Sequence, residues 1–557
     1  MNGQLSLSSD DALTEEHNLS QLDIEYLKLQ TALFRNRTQR NALVFVGRLP
    51  PEILTRIFFI RAKMEPIHAE EPQRTLGWIT VTHVCGHWRR VALACSSLWT
   101  DIRFDLGPEW TQEMFARAKQ VPVAICDPHL ILHRHQLNIV LKHIALGREI
   151  NLNARLMQYH ALPRALTAVP FPFLKTFTVV PELRRGVEWR TYFMPHDFLG
   201  GYAPQLRRLN LTQTQVSWSA PVLNTLQELR VQLPLPTQAR PACADFLDAL
   251  RRMSSLERLY IEHLPLETHA EPENMVDIVD MPRMAYLRIA DTLSPCIHLL
   301  GHLSLPPSAD IMIYLHASTD HPQPATFRHL FPIINSRIQG PGSPICSLAF
   351  ESMATWKVTV TAARNPADRY GQVRITVDWD EDTDWDNLAY DVSEFVTTTC
   401  EGFRKHLDVL SVDMQPHIRS VATWWTIIQA ASNVRVLSVA GSAADAFCAT
   451  LTCASLSLPK MELRSVPSPT PLDQYLSKLM VLRLVRTYLI EEKTKVLASL
   501  HPDVQSILVN CSHQYAKWIR RRKEIGMPLH SLQLEQCYMS DEARTLLESV
   551  CGTMVIT

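Results

Sequence analysis

The sequence predicts an α/β chain in which a small N-terminal helical module precedes a long, irregular solenoid of strand–helix units. Three observations carry that prediction. Apolar residues between positions 21 and 104 recur at helical spacing. From about residue 171, short segments repeat large apolar residues three and then two positions apart. The chain has 557 residues, well beyond the roughly 250–300 at which one core stops growing, so two or more domains are expected.

The helical signals come first. Residues 1–20 are rich in Ser and Asp with little periodicity and are expected to be a disordered tail. Over 21–43, Leu22, Tyr26, Leu29 and Leu33 fall four, three and four apart, and Ile24 and Leu27 widen the stripe. Arg35, Arg37 and Arg40 follow where cations suit a helix C-terminus. One stripe of this length reads as a single helix packed on the next domain, because a coiled coil needs about three or four heptads. In Leu49-Pro50-Pro51-Glu52-Ile53-Leu54-Thr55-Arg56-Ile57-Phe58 the prolines are tolerated in a first helical turn and Glu52 complements the helix N-terminus. Ile53, Leu54, Ile57, Phe58 and Ile60 then give a broad apolar face. Residues 61–77 carry Pro66, Pro72 and Gly77 and read as a loop. A helix is expected over 79–95 from Val81, Val84, Cys85, Trp88, Val91 and Ala92, broken by Ser96-Ser97, with Leu98, Trp99, Ile102 and Phe104 as a last apolar cluster. Residues 44–104 thus form one compact helical unit, and 105–170 are expected to be a helical linker.

The repeated segments of residues 171–557 are Leu174/Phe177/Val179, Leu206/Leu209/Leu211, Leu226/Leu229/Val231, Leu256/Leu259/Ile261, Met284/Leu287/Ile289 and Leu300/Leu303/Leu305. Further on come Ile345/Leu348/Phe350, Leu407/Leu410/Val412, Val434/Leu437/Val439, Leu479/Leu482/Leu484 and Leu529/Leu532/Leu534. The residue between the last two apolar positions is usually polar, as at Asn210, Arg230, Arg288, Ser411, Ser438, Arg483 and Gln533. A half-buried strand requires this alternation. Trp356/Val358/Val360 and Val373/Ile375/Val377 alternate strictly and read as an antiparallel hairpin inserted among the repeats. Phe246, Leu247 and Leu250, and later Val421, Trp424, Trp425 and Ile428, mark amphipathic helices between strands.

Composition narrows the function classes. Hydrophobic residues make up 46%, enough for a sizeable core, and the net charge is −1. A near-neutral chain lacks the long-range field of a dedicated nucleic-acid binder. No apolar run approaches the ~18 residues of a membrane span. The polar, acidic N-terminus has neither the basic nor the apolar region of a signal peptide. Twelve scattered cysteines without a C-x-x-C pair read as reduced, mostly buried thiols. The expectation is a cytoplasmic or nuclear protein with no nucleic-acid and no membrane partner.

Residues 49–58 and 78–104 resemble an F-box of the F-box-like proteins numerous in fungi. The resemblance is carried by Leu49-Pro50-Pro51-Glu52-Ile53-Leu54 with Ile57-Phe58, then Val81-Thr82-His83-Val84-Cys85-Gly86-His87-Trp88-Arg89-Arg90-Val91-Ala92, then Leu98-Trp99-Thr100-Asp101-Ile102. It covers about 60 residues and departs from the family in the long 61–77 insertion. The later segments resemble the leucine-rich-repeat core L-x-x-L-x-L. That family's Asn or Cys three residues after the last Leu occurs once, at Cys537, and the units start at irregular intervals.

The F-box resemblance implies docking on a Skp-type adaptor, which links the chain to an SCF-type cullin–RING ubiquitin ligase, while the repeats hold a substrate protein. The implied adaptor-binding residues are Leu49, Pro50, Pro51, Glu52, Ile53, Leu54, Ile57, Phe58, Val84, Cys85, Trp88, Leu98 and Trp99. Leu49 and Pro50 at the helix start read best as interface. Val84, Trp88 and Val91 lie on a full helical stripe and read first as core. No catalytic residue, metal or cofactor is implied. An F-box scaffold acting outside a ligase is an alternative. So is an enzyme in the C-terminal region, which would need a deep pocket with convergent His, Cys or carboxylate groups.

Other motifs weigh less. His83, Cys85 and His87 form H-x-C-x-H, and on a helix His83 and His87 would share a face as in zinc sites, but Cys85 would point away. A solvated histidine pair beside a core cysteine is the preferred reading. Asp378, Asp380, Asp382, Asp384 and Asp386 alternate, yet Thr383 and Ala389 stand where a calcium loop needs Gly and Glu, so a solvated acidic loop is expected. Arg520-Arg521-Arg522-Lys523 reads as a charged helix face before it reads as an import signal or phosphate patch. No Gly-rich phosphate loop, G-x-S-x-G or H-E-x-x-H is present.

Overall fold

The structure, a computed structural model, describes residues 9–67, 75–104, 106–126, 134–154, 156, 161–180, 191–233, 243–263, 278–316, 327–338, 344–354, 356–367, 370–379, 385–414, 421–455, 472–489, 494–496 and 507–557. The chain divides into two compact units, one of residues 1–178 with 202–205 and one of residues 179–201 with 206–557. It is a mixed α/β protein with an N-terminal helical region and a large sheet. Among the described residues no helix is long and apolar enough to cross a membrane.

The first unit opens with α1 (Ser9–Leu43). Residues 9–20 are therefore helical where a disordered tail was expected; Ser9, Asp10 and Asp11 are residue types that suit a helix start. Residues 1–8 lie outside the described residues. At 35 residues α1 is about 52 Å long. Leu19, Leu22, Tyr26, Leu29 and Leu33 are all more than half exposed, so the stripe is not packed on the next domain as expected. α1 meets the unit closely where the Phe34 ring lies about 3.5 Å from the place a Cβ on Gly86 would take.

Helix α2 (Pro51–Met64) follows, then a 3-10 helix at Gly77–His83, α3 (Gly86–Ala94) and a 3-10 turn at Ser96–Trp99. The single helix expected over 79–95 is broken at Val84 and Cys85. Cys85 is extended and caps α3, its Sγ accepting the Trp88 N–H at 3.5 Å. The helical linker expected over 105–170 also departs from the structure. Besides α4 (Pro108–Ala118), α5 (Arg134–His143) and α6 (Ala161–Ala168) it carries β2 (Val123–Cys126) and β3 (Gly147–Asn153). Both join β1 (Asp101–Ile102) in a parallel β1–β2–β3 array. The signals are a short apolar run at Val123-Ala124-Ile125 and the alternation of Ile150 and Leu152, all buried.

The second unit is built on β4 (Arg208–Thr212), β5 (Glu228–Gln232), β6 (Arg258–Glu262), β7 (Tyr286–Asp291) and β8 (Asp310–His316), each parallel to the next. After β8 the chain inserts β9 (Ser347–Ala354), β10 (Lys357–Ala363) and β11 (Val373–Asp378). β11 pairs parallel with β8, β10 pairs antiparallel with both neighbours, and β9 restarts the parallel run on β12 (Val409–Asp413). β13 (Val436–Ala440), β14 (Val481–Val485), β15 (Ser531–Glu535) and β16 (Met554–Ile556) continue it. Among the described residues the sheet does not close into a barrel.

The apolar pairs align in register: Leu209, Leu229, Leu259 and Leu287 stand opposite one another, as do Leu410, Leu437, Leu482 and Leu532. All are buried. Their polar neighbours fall on the other face by the two-residue strand period. One expected unit fails. Leu300 ends a helix, and Leu303–Ser304 pairs with Val279–Asp280 in a separate two-stranded sheet. The ladder strand is β8 instead. Its buried Ile311, Ile313 and Leu315 escape the repeat pattern because Ser308 stands where a large apolar residue is required.

Helices α7 (Cys243–Arg252), α8 (Leu293–Gly301), α9 (Phe327–Ile338), α10 (Trp385–Phe403), α11 (Val421–Ala430), α12 (Ser442–Ser455), α13 (Leu472–Tyr475), α14 (Cys511–Glu524) and α15 (Asp541–Val550) separate the strands. From α8 to α12 each packs on the next, and α12, α14 and α15 continue the row. Aromatic contacts such as Phe327 on Phe395 and Trp424 on Phe447 fill the layer.

Two backbone devices recur along the ladder. One carbonyl accepts two successive N–H groups of the next strand, as Gln227 does from Glu257 and Arg258 and Arg435 from Met480 and Val481. At several strand exits the next residue turns left-handed: Gln213 (φ 58°), His263 (53°), Gly441 (54°), Arg486 (51°) and Gln536 (52°). Each still donates its N–H to the neighbouring segment of the sheet, for example Gln213 to Gln232 at 2.9 Å.

Candidate functional site

The thirteen residues assigned to adaptor binding fall into three environments. Leu54, Phe58, Leu98 and Trp99 are buried in their own unit and present no surface to a partner, which removes them from the expected contact set. The reason is geometric: Leu54 and Phe58 lie on the side of α2 turned toward α3, where Phe58 meets the half-buried Trp88 at 5.2 Å between ring centroids. Trp99 meets Trp78 at 5.0 Å, donates Nε1–H to the Ala92 carbonyl at 2.9 Å, and carries the Arg117 guanidinium over its ring. Leu49 and Cys85 are half-buried, and the Leu49 carbonyl lies 3.4 Å from Nε2 of His87 on α3.

Pro50, Pro51, Glu52, Ile53, Ile57 and Val84 are exposed. Pro50 caps α2, Pro51 occupies its first position and Glu52 its first turn, as the sequence requires. Ile53 and Ile57 are 46% and 38% exposed, and the same face continues through Ile60 (53%) and Met64 (76%) at helical spacing. Ile60 and Met64 were not among the assigned contacts. The four-three-four spacing from Ile53 was the signal for them. The result is an apolar helix face with no nucleophile, acid or base on it.

The 61–77 insertion does not displace this helix. α2 runs to Met64, and the Trp78 N–H returns to the Glu65 carbonyl at 2.9 Å. Gly77 (φ +53°) makes the closure possible, since a Cβ there would stand 2.5 Å from the Pro66 carbonyl oxygen. Residues 68–74 lie outside the described residues.

No protein-family model and no curated protein matches this chain.

His83 and His87 lie on either side of the break at Val84 and Cys85, so they do not share a helix as the zinc-like spacing required. Among the described residues no group of three His, Cys, Asp or Glu side chains is placed to hold a metal ion. Asp378 pairs with Lys357 at 2.7 Å; residues 380–384 and the Asp386 side chain lie outside the described residues. The basic run is not a plain charged face, for Arg522 is fully buried.

The second unit presents a polar sheet face. The strand register sets Arg230, Tyr260, Arg288, Met312 and Arg374 side by side across β5, β6, β7, β8 and β11. Arg230 lies over the Tyr260 ring at 5.5 Å, and Arg288 over Tyr314 at 4.8 Å. Tyr260 meets Tyr286 at 5.1 Å. A hollow is lined by Arg230, Gln232, Tyr260, Glu262 and Arg288. Burial raises the Tyr286 hydroxyl above its ordinary pKa. Arg230 and Arg288 were legible as polar mid-strand positions; Tyr260, Tyr314 and Arg374 were not singled out.

Proposed function

We propose that this chain is the substrate-recognition subunit of an SCF-type cullin–RING ubiquitin ligase, acting in the cytoplasm or nucleus. It docks a Skp-type adaptor through α2 and holds a substrate protein on an irregular leucine-rich-repeat-like solenoid. The observation that carries the reading is the exposed apolar face of α2, seated on the buried Leu54 and Phe58 and continuous through Ile53, Ile57, Ile60 and Met64. Solvent-exposed isoleucines on a rigid helix, next to a sequence that resembles an F-box, are what a helix-face interface offers a partner. The in-register parallel strands and the Cys537 thiol, which donates to the Leu484 carbonyl at 3.2 Å beside the last repeat, support the solenoid reading.

The chain would supply no catalytic group. It would work by raising the concentration of substrate near the ligase. Purified full-length chain and a Skp-type adaptor, mixed and measured by calorimetry, test the reading. The wild type should bind, and Ile53→Asp with Ile57→Asp should weaken binding at least about tenfold, because both side chains are surface contacts. Absence of wild-type binding, or equal binding by the double variant, sinks it. Adaptor binding with no change in any partner's lifetime on deletion of the gene would leave the chain a scaffold.

A further inference from the structure

We propose that the Arg230–Arg288–Arg374 row on the sheet is a binding site for an extended acidic peptide with carboxylates at every third residue. The proposal rests on the reading of the sheet as the substrate-holding part and narrows it to one ligand class.

The spacing comes from the register. Arg230, Arg288 and Arg374 occupy one row on alternate strands, separated by Tyr260 on β6 and Met312 on β8. Adjacent strands lie about 4.7–4.9 Å apart, so successive arginine positions repeat at about 9.5 Å across the sheet. A polyproline II peptide rises about 3.1 Å per residue with three residues per turn, so side chains three apart share one face about 9.3 Å apart. Acidic residues at i, i+3 and i+6 would then meet the three arginines without distortion of either partner.

The charges are available for this. Of the carboxylates on the strands that carry the row, Glu228 pairs with Arg258 at 3.9 Å and Asp378 with Lys357 at 2.7 Å, while Glu262 accepts from the Gln232 amide at 3.0 Å and Asp310 from the Gln372 N–H at 3.2 Å. Among the described residues no carboxylate stands within ion-pairing distance of Arg230, Arg288 or Arg374. Two of the three guanidiniums are held against tyrosine rings, which fixes their planes before a ligand arrives and limits the side-chain entropy lost on binding. The fork of donors suits a carboxylate.

The same features weigh against other anions. A phosphate carries about −1.5 to −2 and is matched by clustered cations, whereas here each arginine is isolated by an uncharged neighbour. Single-stranded nucleic acid binds through open aromatic faces, but the Tyr260 and Tyr314 rings are already covered by Arg230 and Arg288.

The test uses full-length chain and a fluorescein-labelled peptide of three Glu-Pro-Pro repeats, followed by anisotropy. Saturable binding that weakens with added salt is expected. A Gln-Pro-Pro peptide, and a peptide of the same composition with its three Glu contiguous, should each bind at least about tenfold more weakly. Arg288→Glu should reduce affinity for the spaced peptide by a similar factor. Arg374→Glu, at an exposed position, should do so independently. Equal binding of the Gln peptide, indifference to Arg374→Glu, or tighter binding of an oligouridylate overturns the proposal. Adaptor binding through α2 is measured separately, so failure here leaves that reading standing, and the reverse holds.

Discussion

The indole of Trp88 lies against the Phe58 ring at 5.2 Å between centroids, with the planes inclined at 59°. This pair fastens α3 to α2 from beneath, while Ile53 and Ile57 look outward from the same helix. Phe58→Ala should therefore destabilise the first unit by about 3–5 kcal/mol through the cavity it leaves. Ile57→Ala should stay within about 0.5 kcal/mol. Denaturant unfolding followed by tryptophan fluorescence distinguishes the two, and equal effects would mean that the two faces of α2 have been misassigned.

Arg522 should prove structural. Fully buried on α14, it donates Nη1–H to the Leu476 carbonyl at 3.0 Å and Nη2–H to the Leu479 carbonyl at 3.1 Å, and lies over the Trp518 ring. Arg522→Ala removes two charge-assisted bonds and leaves two carbonyls without them, a loss of about 3 kcal/mol or more. Arg520→Ala and Lys523→Ala, on exposed positions of the same run, should change stability by no more than about 0.5 kcal/mol. Thermal unfolding of the three variants is the measurement.

His263, at the exit of β6, should give the second unit a pH dependence. Burial lowers its pKa first, and His316, with ring centroids 5.0 Å away, lowers it further against the opposing pull of Asp291 and Glu262. A histidine lowered on folding binds fewer protons folded than unfolded, so stability is full above its unfolded value of about 6.5 and falls as pH drops through it. The urea midpoint of the wild type should fall between about pH 7.5 and 5.5. His263→Gln should flatten that slope, and an unchanged slope would assign it to other groups.

The cysteines should react in an order set by burial. All twelve are free thiols. Five are buried and seven half-buried, so fewer are fully enclosed than the sequence suggested. Burial pushes Cys400 up to about 12, and it also raises Cys296 and Cys448. Since the thiolate is the nucleophile, brief iodoacetamide treatment of native protein should spare these three and label them only after denaturation. Peptide mass spectrometry reads the result, and rapid native labelling of Cys400 would contradict its placement.

How much of this was legible depends on whether a signal was local. Leu229 and Val231 announce a strand because period two needs no distant partner, and the strict alternation around Val358 and Ile375 marked the antiparallel insertion. The break between His83 and His87 was hidden because the apolar stripe continues across it; Cys85 and Gly86 end one helix and start another without disturbing the spacing. Arg522 was hidden because a charge run gives no sign of which member faces two carbonyls more than forty residues earlier. The α2 face was legible as apolar, but its division into buried Leu54 and Phe58 and exposed Ile53 and Ile57 required the partner helix.

The left-handed strand exits carry a consequence for engineering. Gln213, Arg486 and Gln536 hold positive φ without being glycine, an arrangement that disfavours an L-residue by about 1–2 kcal/mol. The extra chain entropy of glycine offsets about 0.5–1 kcal/mol of any relief. At Gln536, whose side chain is exposed, glycine should thus be neutral to stabilising, whereas glycine would cost a buried side chain at Gln213 and the ion pair with Asp413 at Arg486. The fold already contains its own precedent in Gly441, and Gln536→Gly is a direct route to a more heat-resistant form of the second unit.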